Sequence, residues 1–380
     1  MRIRYSQNAR GQLVPQAWLY SVNEHGITRD SIDPDTVKII RRLQGAGFEA
    51  YIVGGAVRDL LLGRNPKDYD IATDAWPTQV RKLFRNSRVI GNRFRLVHIY
   101  FPDSKIIEVA TFRAFNSDNE NNVYGTIEED VRRRDFTLNG LYYNPEKEEI
   151  LDYVHGYRDI RKKVLRSILP LDKTFVEDPV RMIRAMKYSS SAGLKIPFIL
   201  KRRILKDSPL LAKSSTSRMS EELFKILQSG YSAAIIDSFF RYRLLPWFLP
   251  EFHNHMKRDK KFKEHFLSSL RALDDLILSG EEKQKSRMLY YLLDPYLSLK
   301  NAFMDPKDKR LLFKEIITCS KSSLKPLIAP NAEIDEAVKL MFRRKKLNLP
   351  KKRSNRHQGS RFRGPSSPSD GKPAPQKAPD

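Results

Sequence analysis

Asp68 and Asp70 stand two positions apart in the run Lys67-Asp68-Tyr69-Asp70-Ile71, soon after the paired glycines Gly54-Gly55. The segment reads as a strand, β-like over Tyr69 to Ala72, and residues two apart on a strand point to one face. Two carboxylates held that close repel unless a cation lies between them. Mg²⁺, which binds through a few carboxylates plus substrate phosphates, is the natural occupant. Gly54-Gly55 close an apolar strand-like run, Ala50 to Val53, and precede a short helical stretch, Val57 to Leu62, that ends at Gly63. Glycines at such a turn let phosphate oxygens approach the backbone, where a helix N-terminus offers free N–H groups and partial positive charge. Glu108, the polar residue of Ile106-Ile107-Glu108-Val109-Ala110, is placed on a neighbouring strand to complete a clamp for two metal ions. One ion would lower the pKa of an attacking hydroxyl, and the other would neutralise charge on a triphosphate and its leaving pyrophosphate. A lone Gly-Gly is usually a turn, and a lone Asp-x-Asp usually a solvated face. Their succession in strand–turn–helix–strand order carries the signal.

Three further stretches could bind anions or bases. Arg133-Arg134-Asp135-Phe136-Thr137-Leu138-Asn139 sets two guanidinium forks beside a carboxylate, a combination suited to phosphate and to a ribose hydroxyl. In Glu177-Asp178-Pro179-Val180-Arg181-Met182-Ile183-Arg184-Ala185, Asp is a good N-cap and Pro is favoured at the first helical position. Arg181 and Arg184 then lie one turn apart on one helix face. Arg218 and Glu222, in Ser217 to Leu223, are spaced i, i+4 and read as a helical ion pair with a supporting role.

The elements that must position these residues fall into two kinds. Strand-like runs at 50–53, 69–72, 97–101, 106–112 and 138–143 alternate with helical ones, a first beginning near Asp33-Pro34 and stopping at Gly45 and Gly47, and another over Pro77 to Phe84. This half is expected to be α+β. Beyond Asp178-Pro179, helical spacing dominates at 181–190, 221–228, 233–242, 262–278 and 311–317. The expected domains are an N-terminal extension (1–30), a head (31–165), a helical neck (166–230), a helical body (231–342) and a basic tail (343–380). Residues 341–380 hold 12 Lys or Arg against 2 Asp, with six prolines, a composition expected to stay disordered.

The chain has 380 residues and a formal charge of +25, enough length for several domains and an excess that points to nucleic acid as partner. The single cysteine, Cys319, excludes an intramolecular disulfide and a cysteine metal cage. No stretch approaches the roughly 18 apolar residues of a membrane span, and no apolar leader follows Arg2 and Arg4. A cytoplasmic location away from the membrane is expected.

Gly54 to Gly63 followed by Asp68-Tyr69-Asp70 resembles the head motif of class II RNA nucleotidyltransferases of the DNA polymerase β superfamily, the family of CCA-adding enzymes and bacterial poly(A) polymerases. The Arg133, Glu177 and Ser217 stretches resemble three more of its motifs in order, over residues 50 to 228, whereas beyond about residue 245 the likeness is only compositional. The resemblance implies a polymerase β-like head with a mixed sheet, two Mg²⁺ ions and ATP. Asp68 and Asp70 would hold metal. Gly54, Gly55, Arg58, Arg134, Asp178, Arg181 and Arg184 would bind the nucleotide, with Asp178 and Arg181 reading the base in place of a template. It also makes Asp135 the third acid, so Glu108 and Asp135 both remain candidates. The family often has Arg-Ala-x-Arg-Phe where this chain reads Arg184-Ala185-Met186-Lys187-Tyr188, and Lys lacks the planar fork.

Phe84 to His98, Asn139-Gly140-Leu141-Tyr142-Tyr143 and the Pro after Asp178 resemble the poly(A) polymerase branch more than the CCA-adding one. The short loop between Arg113 and Arg132 and the compact helical part argue the other way. The expected activity is AMP addition from ATP to RNA 3′ ends, with mRNA as the first substrate and tRNA as the second, and with CCA addition as the near alternative. A non-catalytic RNA-binding protein on the same scaffold would be expected to have lost an aspartate, and both are intact. In the tail, Arg343, Arg344, Lys345, Lys346, Lys351, Lys352 and Arg353 could hold RNA phosphates without regard to sequence, since Phe362 is the only Phe, Tyr or Trp of residues 343–380. No protein partner is legible.

Overall fold

The computed structural model describes residues 1–7, 11–91, 95–115, 123–299 and 309–347. Nine strands form one mixed sheet: β1 (Arg2–Gln7), β2 (Leu13–Ser21), β3 (Ala50–Val53), β4 (Asp70–Thr73), β5 (Ser87–Ile90), β6 (Leu96–Tyr100), β7 (Ile106–Thr111), β8 (Leu141–Asn144) and β9 (Glu149–Asp152). Their order is β1-β2-β9-β8-β3-β4-β7-β6-β5. Among the described strands, β4 and β7 are the pair that runs parallel. The central strand β3 is buried on both faces: Ile52 belongs to the main core, while Tyr51 and Val53 join Phe112, Val131 and Tyr142 in a second cluster behind the sheet. A doubly covered strand reads as an unbroken apolar run, as Ala50 to Val53 does.

The sheet passes into a succession of helices from Leu171 to Arg344. The main core is continuous from Ile40, Ile52 and Val97 under the sheet to Phe239, Phe252 and Met341 among the helices. No sharp boundary falls at residue 165, because Leu165 N–H donates to the Lys195 carbonyl at 2.9 Å and Lys195 N–H to that of Lys163 at 2.8 Å. No helix of the described residues is long and apolar enough to cross a membrane.

Several sequence expectations need correcting. Residues 1–30 are not merely an extension: β1 and β2 pair with each other, and β2 pairs with β9, extending the sheet past its core strands. Their sparse burial hides the alternation on which a strand reading depends. The run 138–143 is a strand only from Leu141, since Thr137–Asn139 forms a 3₁₀ turn. Strand β4 begins at Asp70, so Asp68 precedes it rather than sharing its face. At the other end, a helix Asn331–Arg344 runs into the expected tail. Arg344 packs over the Tyr290 ring at 4.8 Å, and Lys345 donates to Ser298 Oγ at 3.2 Å. Arg343 and Arg344 close the helix and Lys345 and Lys346 follow in a turn, so these four are structured. Lys351, Lys352, Arg353 and the disorder expected there lie outside the described residues.

Candidate active site

The turn that follows β3 needs glycine. Gly54 has φ +68° and ψ −123°, a conformation closed to side chains, and it caps the helix Gly55–Leu61. Strand register then delivers the acids. Val53 pairs with Asp70 on one side, and Asp70 pairs with Glu108 in parallel register on the other. The Asp70 side chain remains open to solvent, yet its carboxyl is pushed up to about 6. Burial of its protein-facing side contributes most, then Glu108, then Asp68, while Arg134 pulls it down. Glu108 Oε1 lies 3.2 Å from His98 Nε2, its partner across β6 and β7.

Carboxylates whose charge is disfavoured by burial and by one another suit a hard divalent cation. Among the described residues, no three His, Cys, Asp or Glu side chains already form a metal cage.

Beside the acids lies a cavity of about 470 Å³, within the size range of small-ligand sites. Seven arginines line it (Arg58, Arg113, Arg133, Arg134, Arg181, Arg184 and Arg218) against two aspartates, Asp135 and Asp178, with Gly54, Gly55, Asn139 and Tyr188 completing the wall. The arginines are held rather than loose. Arg58 grips Asp59 through two bonds of 2.9 and 3.0 Å, reaches Asn139 Oδ1 at 3.2 Å and packs over the Tyr188 ring at 5.2 Å. Arg134 donates to Asp130 at 2.9 Å, to the Tyr142 hydroxyl at 3.1 Å and to the Asn139 carbonyl at 3.2 Å. Asp130, which the sequence did not single out, is only 1% exposed. Burial opposes its charge, but Arg134, Arg133 and the Tyr142 hydroxyl hold its carboxyl down at about 2.

Asp135 faces the cavity. Its Oδ1 accepts from Phe136 N–H at 2.7 Å and from Asn139 Nδ2 at 3.0 Å, and its Oδ2 lies 3.7 Å from Arg184 Nη1. Asp178 begins the helix Val180–Ala192 by accepting from Val180 N–H at 3.1 Å, and its other oxygen takes Arg218 Nη2 at 2.7 Å. Arg181 turns inward to the carbonyls of Thr174 at 3.1 Å and Arg133 at 3.3 Å. The helical pair expected between Arg218 and Glu222 does not form. Glu222 is buried and instead takes Arg184 at 3.0 Å and Lys187 at 2.7 Å. Lys187 thus has a structural post that the spacing concealed. Asn139 and Tyr188 sat inside motifs already noted; Arg113 carried no sequence signal.

This is a polymerase β-like nucleotidyltransferase head with helices that complete its pocket. Residues 50–166 match the Poly A polymerase head domain family, and residues 193–256 match the family described as "Probable RNA and SrmB- binding site of polymerase A". The chain is 42% identical over 233 residues to poly(A) polymerase I of Escherichia coli O6:H1, covering 57% of this chain and 50% of that one. It is 37% identical over 292 residues to poly(A) polymerase I of Haemophilus influenzae, covering 72% and 62%. It is 38% identical over 202 residues to the CCA-adding enzyme of Geobacillus thermodenitrificans, covering 51% and 49%. Among solved structures, the Bacillus stearothermophilus CCA-adding enzyme in complex with CTP superimposes with a TM-score of 0.57 at 25% identity, over 82% of this chain and 83% of that one. In sequence and in fold the chain is thus similar to class II RNA nucleotidyltransferases. It spans about half the length of the first curated relatives it matches.

Proposed function

We propose that the protein is a poly(A) polymerase, adding AMP from ATP to RNA 3′ ends without a template and releasing pyrophosphate. The observation that carries this reading is the pocket of seven arginines that opens at Gly54-Gly55, directly after Val53, the strand partner of Asp70, with Arg134 acting on the Asp70 carboxyl. Such an excess of fixed guanidinium forks suits a triphosphate, and the acids suit two Mg²⁺ ions. Bound there, with Asp68 and Asp70 as ligands and Glu108 as the third, the ions would make the RNA 3′-hydroxyl more acidic and neutralise the departing pyrophosphate. Glu108 is preferred over Asp135 because it stands opposite Asp70 in register, whereas Asp135 is bonded to Asn139 on the cavity wall. Gly54 and Gly55 let phosphates approach the backbone, and Arg58 and Arg134 hold them. Asp135 and Asn139 meet the ribose. Asp178, steadied by Arg218, accepts from the adenine amino group, and Arg181 and Arg184 bound that end of the pocket.

Preference for adenylation rests on the likeness to poly(A) polymerases I. CCA addition is the second reading, favoured by the likeness to CCA-adding enzymes in both sequence and fold. The deciding assay offers labelled ATP or CTP with either generic RNA or tRNA lacking its terminal CCA. Long A-only products on both RNAs are expected. CTP incorporation confined to truncated tRNA would replace the first reading with the second.

A further inference from the structure

Glu108 stands in a row of facing residues that crosses four strands. Asp70 of β4 pairs with Glu108 of β7, Glu108 with His98 of β6, and His98 with Arg88 of the edge strand β5. Directly paired residues present their side chains on one face of a sheet, so the row runs from the acids of the site to an exposed cation. Within it Glu108 has a repelling neighbour on one side and a hydrogen-bonding one on the other. The charge on Glu108 disfavours that on Asp70, whereas His98 Nε2 lies 3.2 Å from Glu108 Oε1.

The imidazole is held more firmly than the carboxylate it meets. The His98 side chain is 20% exposed and that of Glu108 45%. The His98 ring meets the Tyr100 ring edge-on, with centroids 6.3 Å apart at 68°. Tyr100 is itself tied to the chain beside β5: its N–H donates to the Asn86 carbonyl at 2.9 Å, and its carbonyl accepts from Asn86 Nδ2 at 2.6 Å. A glutamate on an open face turns about several bonds, and repulsion from Asp70 favours rotamers that point to water. A fixed donor on the strand away from Asp70 removes that freedom.

We propose that His98 is the positioning residue for Glu108: its ring N–H holds one oxygen of the carboxylate, so that the other is presented to a divalent cation shared with Asp70. It acts through Glu108 and not on the nucleotide. Partners that orient metal-binding carboxylates account for about 10- to 100-fold in metal affinity. A Glu–His pair that merely ties two strands together would need no donor at the Nε2 position, which is where the two roles part. The inference rests on the reading of Glu108 as the third metal ligand.

The test measures Mn²⁺ binding by electron paramagnetic resonance, with kcat and KM for ATP alongside, in the full chain and its variants. His98→Phe keeps a ring without its N–H and is expected to weaken Mn²⁺ binding about tenfold and to lower kcat more than it raises KM for ATP. His98→Gln, which restores an N–H donor near the Nε2 position, should recover most of both losses. Glu108→Gln should also weaken Mn²⁺ binding, and adding His98→Phe to it should cost nothing further, because both act through one carboxylate. Unchanged Mn²⁺ affinity in His98→Phe overturns the proposal, as does an equal loss in His98→Gln or a further loss in the double variant. Full Mn²⁺ affinity in Glu108→Gln would remove Glu108 from the metal set and leave His98 nothing to position. Failure of the unmodified protein to extend any RNA would strike the polymerase reading while leaving the Mn²⁺ comparison intact, so the failures are distinct.

Discussion

Asn at position 130 should loosen the pocket from behind. Asp130 is 1% exposed and accepts from Arg133 Nε at 2.8 Å, Arg134 Nη2 at 2.9 Å, Arg113 N–H at 3.2 Å and the Tyr142 hydroxyl. A carboxyl moved from 3.8 to about 2 carries about 2.4 kcal/mol of folding free energy at neutral pH, at about 1.36 kcal/mol per tenfold change in proton affinity. The folded protein holds this proton less readily than the unfolded chain. The contribution is therefore complete above the unfolded value and is lost as pH falls through about 2, with about 1.3 kcal/mol left near about pH 3. Asp130→Asn also leaves the half-buried Arg134 guanidinium without its carboxylate, and breaking a buried pair costs about 3–5 kcal/mol. Urea denaturation is expected to show a loss in that range at neutral pH and a gap between the two proteins that narrows toward about pH 3. KM for ATP should rise, because Arg133 and Arg134 lose their common anchor. A neutral-pH loss below about 1 kcal/mol, or a gap that does not vary with pH, would refute the reasoning.

Asp70→Asn should abolish nucleotide incorporation while oligo(A) affinity stays within a few-fold, as read by primer extension and anisotropy. Because the Asp70 carboxyl sits at about 6, Mn²⁺ binding followed by electron paramagnetic resonance should weaken about tenfold per pH unit below that value; a flat profile would contradict it. Arg218→Ala frees Asp178 and should raise KM for ATP more than it lowers kcat, with Arg218→Lys only a partial substitute. Glu222→Ala leaves Lys187 and Arg184 facing a buried void and should cost about 3–5 kcal/mol by chemical denaturation. Adding Lys187→Met should recover part of that loss, and no recovery would place the coupling elsewhere.

Legibility differed from element to element for physical reasons. Ala50 to Val53 was readable because a strand covered on both faces is uniformly apolar. Leu13 to Ser21 was not, because its exposed first half mixes Pro and Gln with apolar residues. Helices from Thr216, Ser232 and Lys260 were anticipated from their apolar spacing. Those at Leu171–Glu177 and Phe198–Asp207 were not, since the first is short and the second sets apolar residues on its open side.

What the sequence by itself determined was the glycine turn, the spacing of Asp68 and Asp70, and the basic motifs that follow them, because local backbone demands and short-range charge order are written in consecutive residues. Only the tertiary structure decided which acid stands opposite Asp70, that Arg218 holds Asp178 rather than Glu222, and that Asp130 anchors the pocket arginines. Those are matters of strand register and of burial. Both arise when segments far apart in the chain are brought together, and side chains buried there must find charge partners wherever the packing places them.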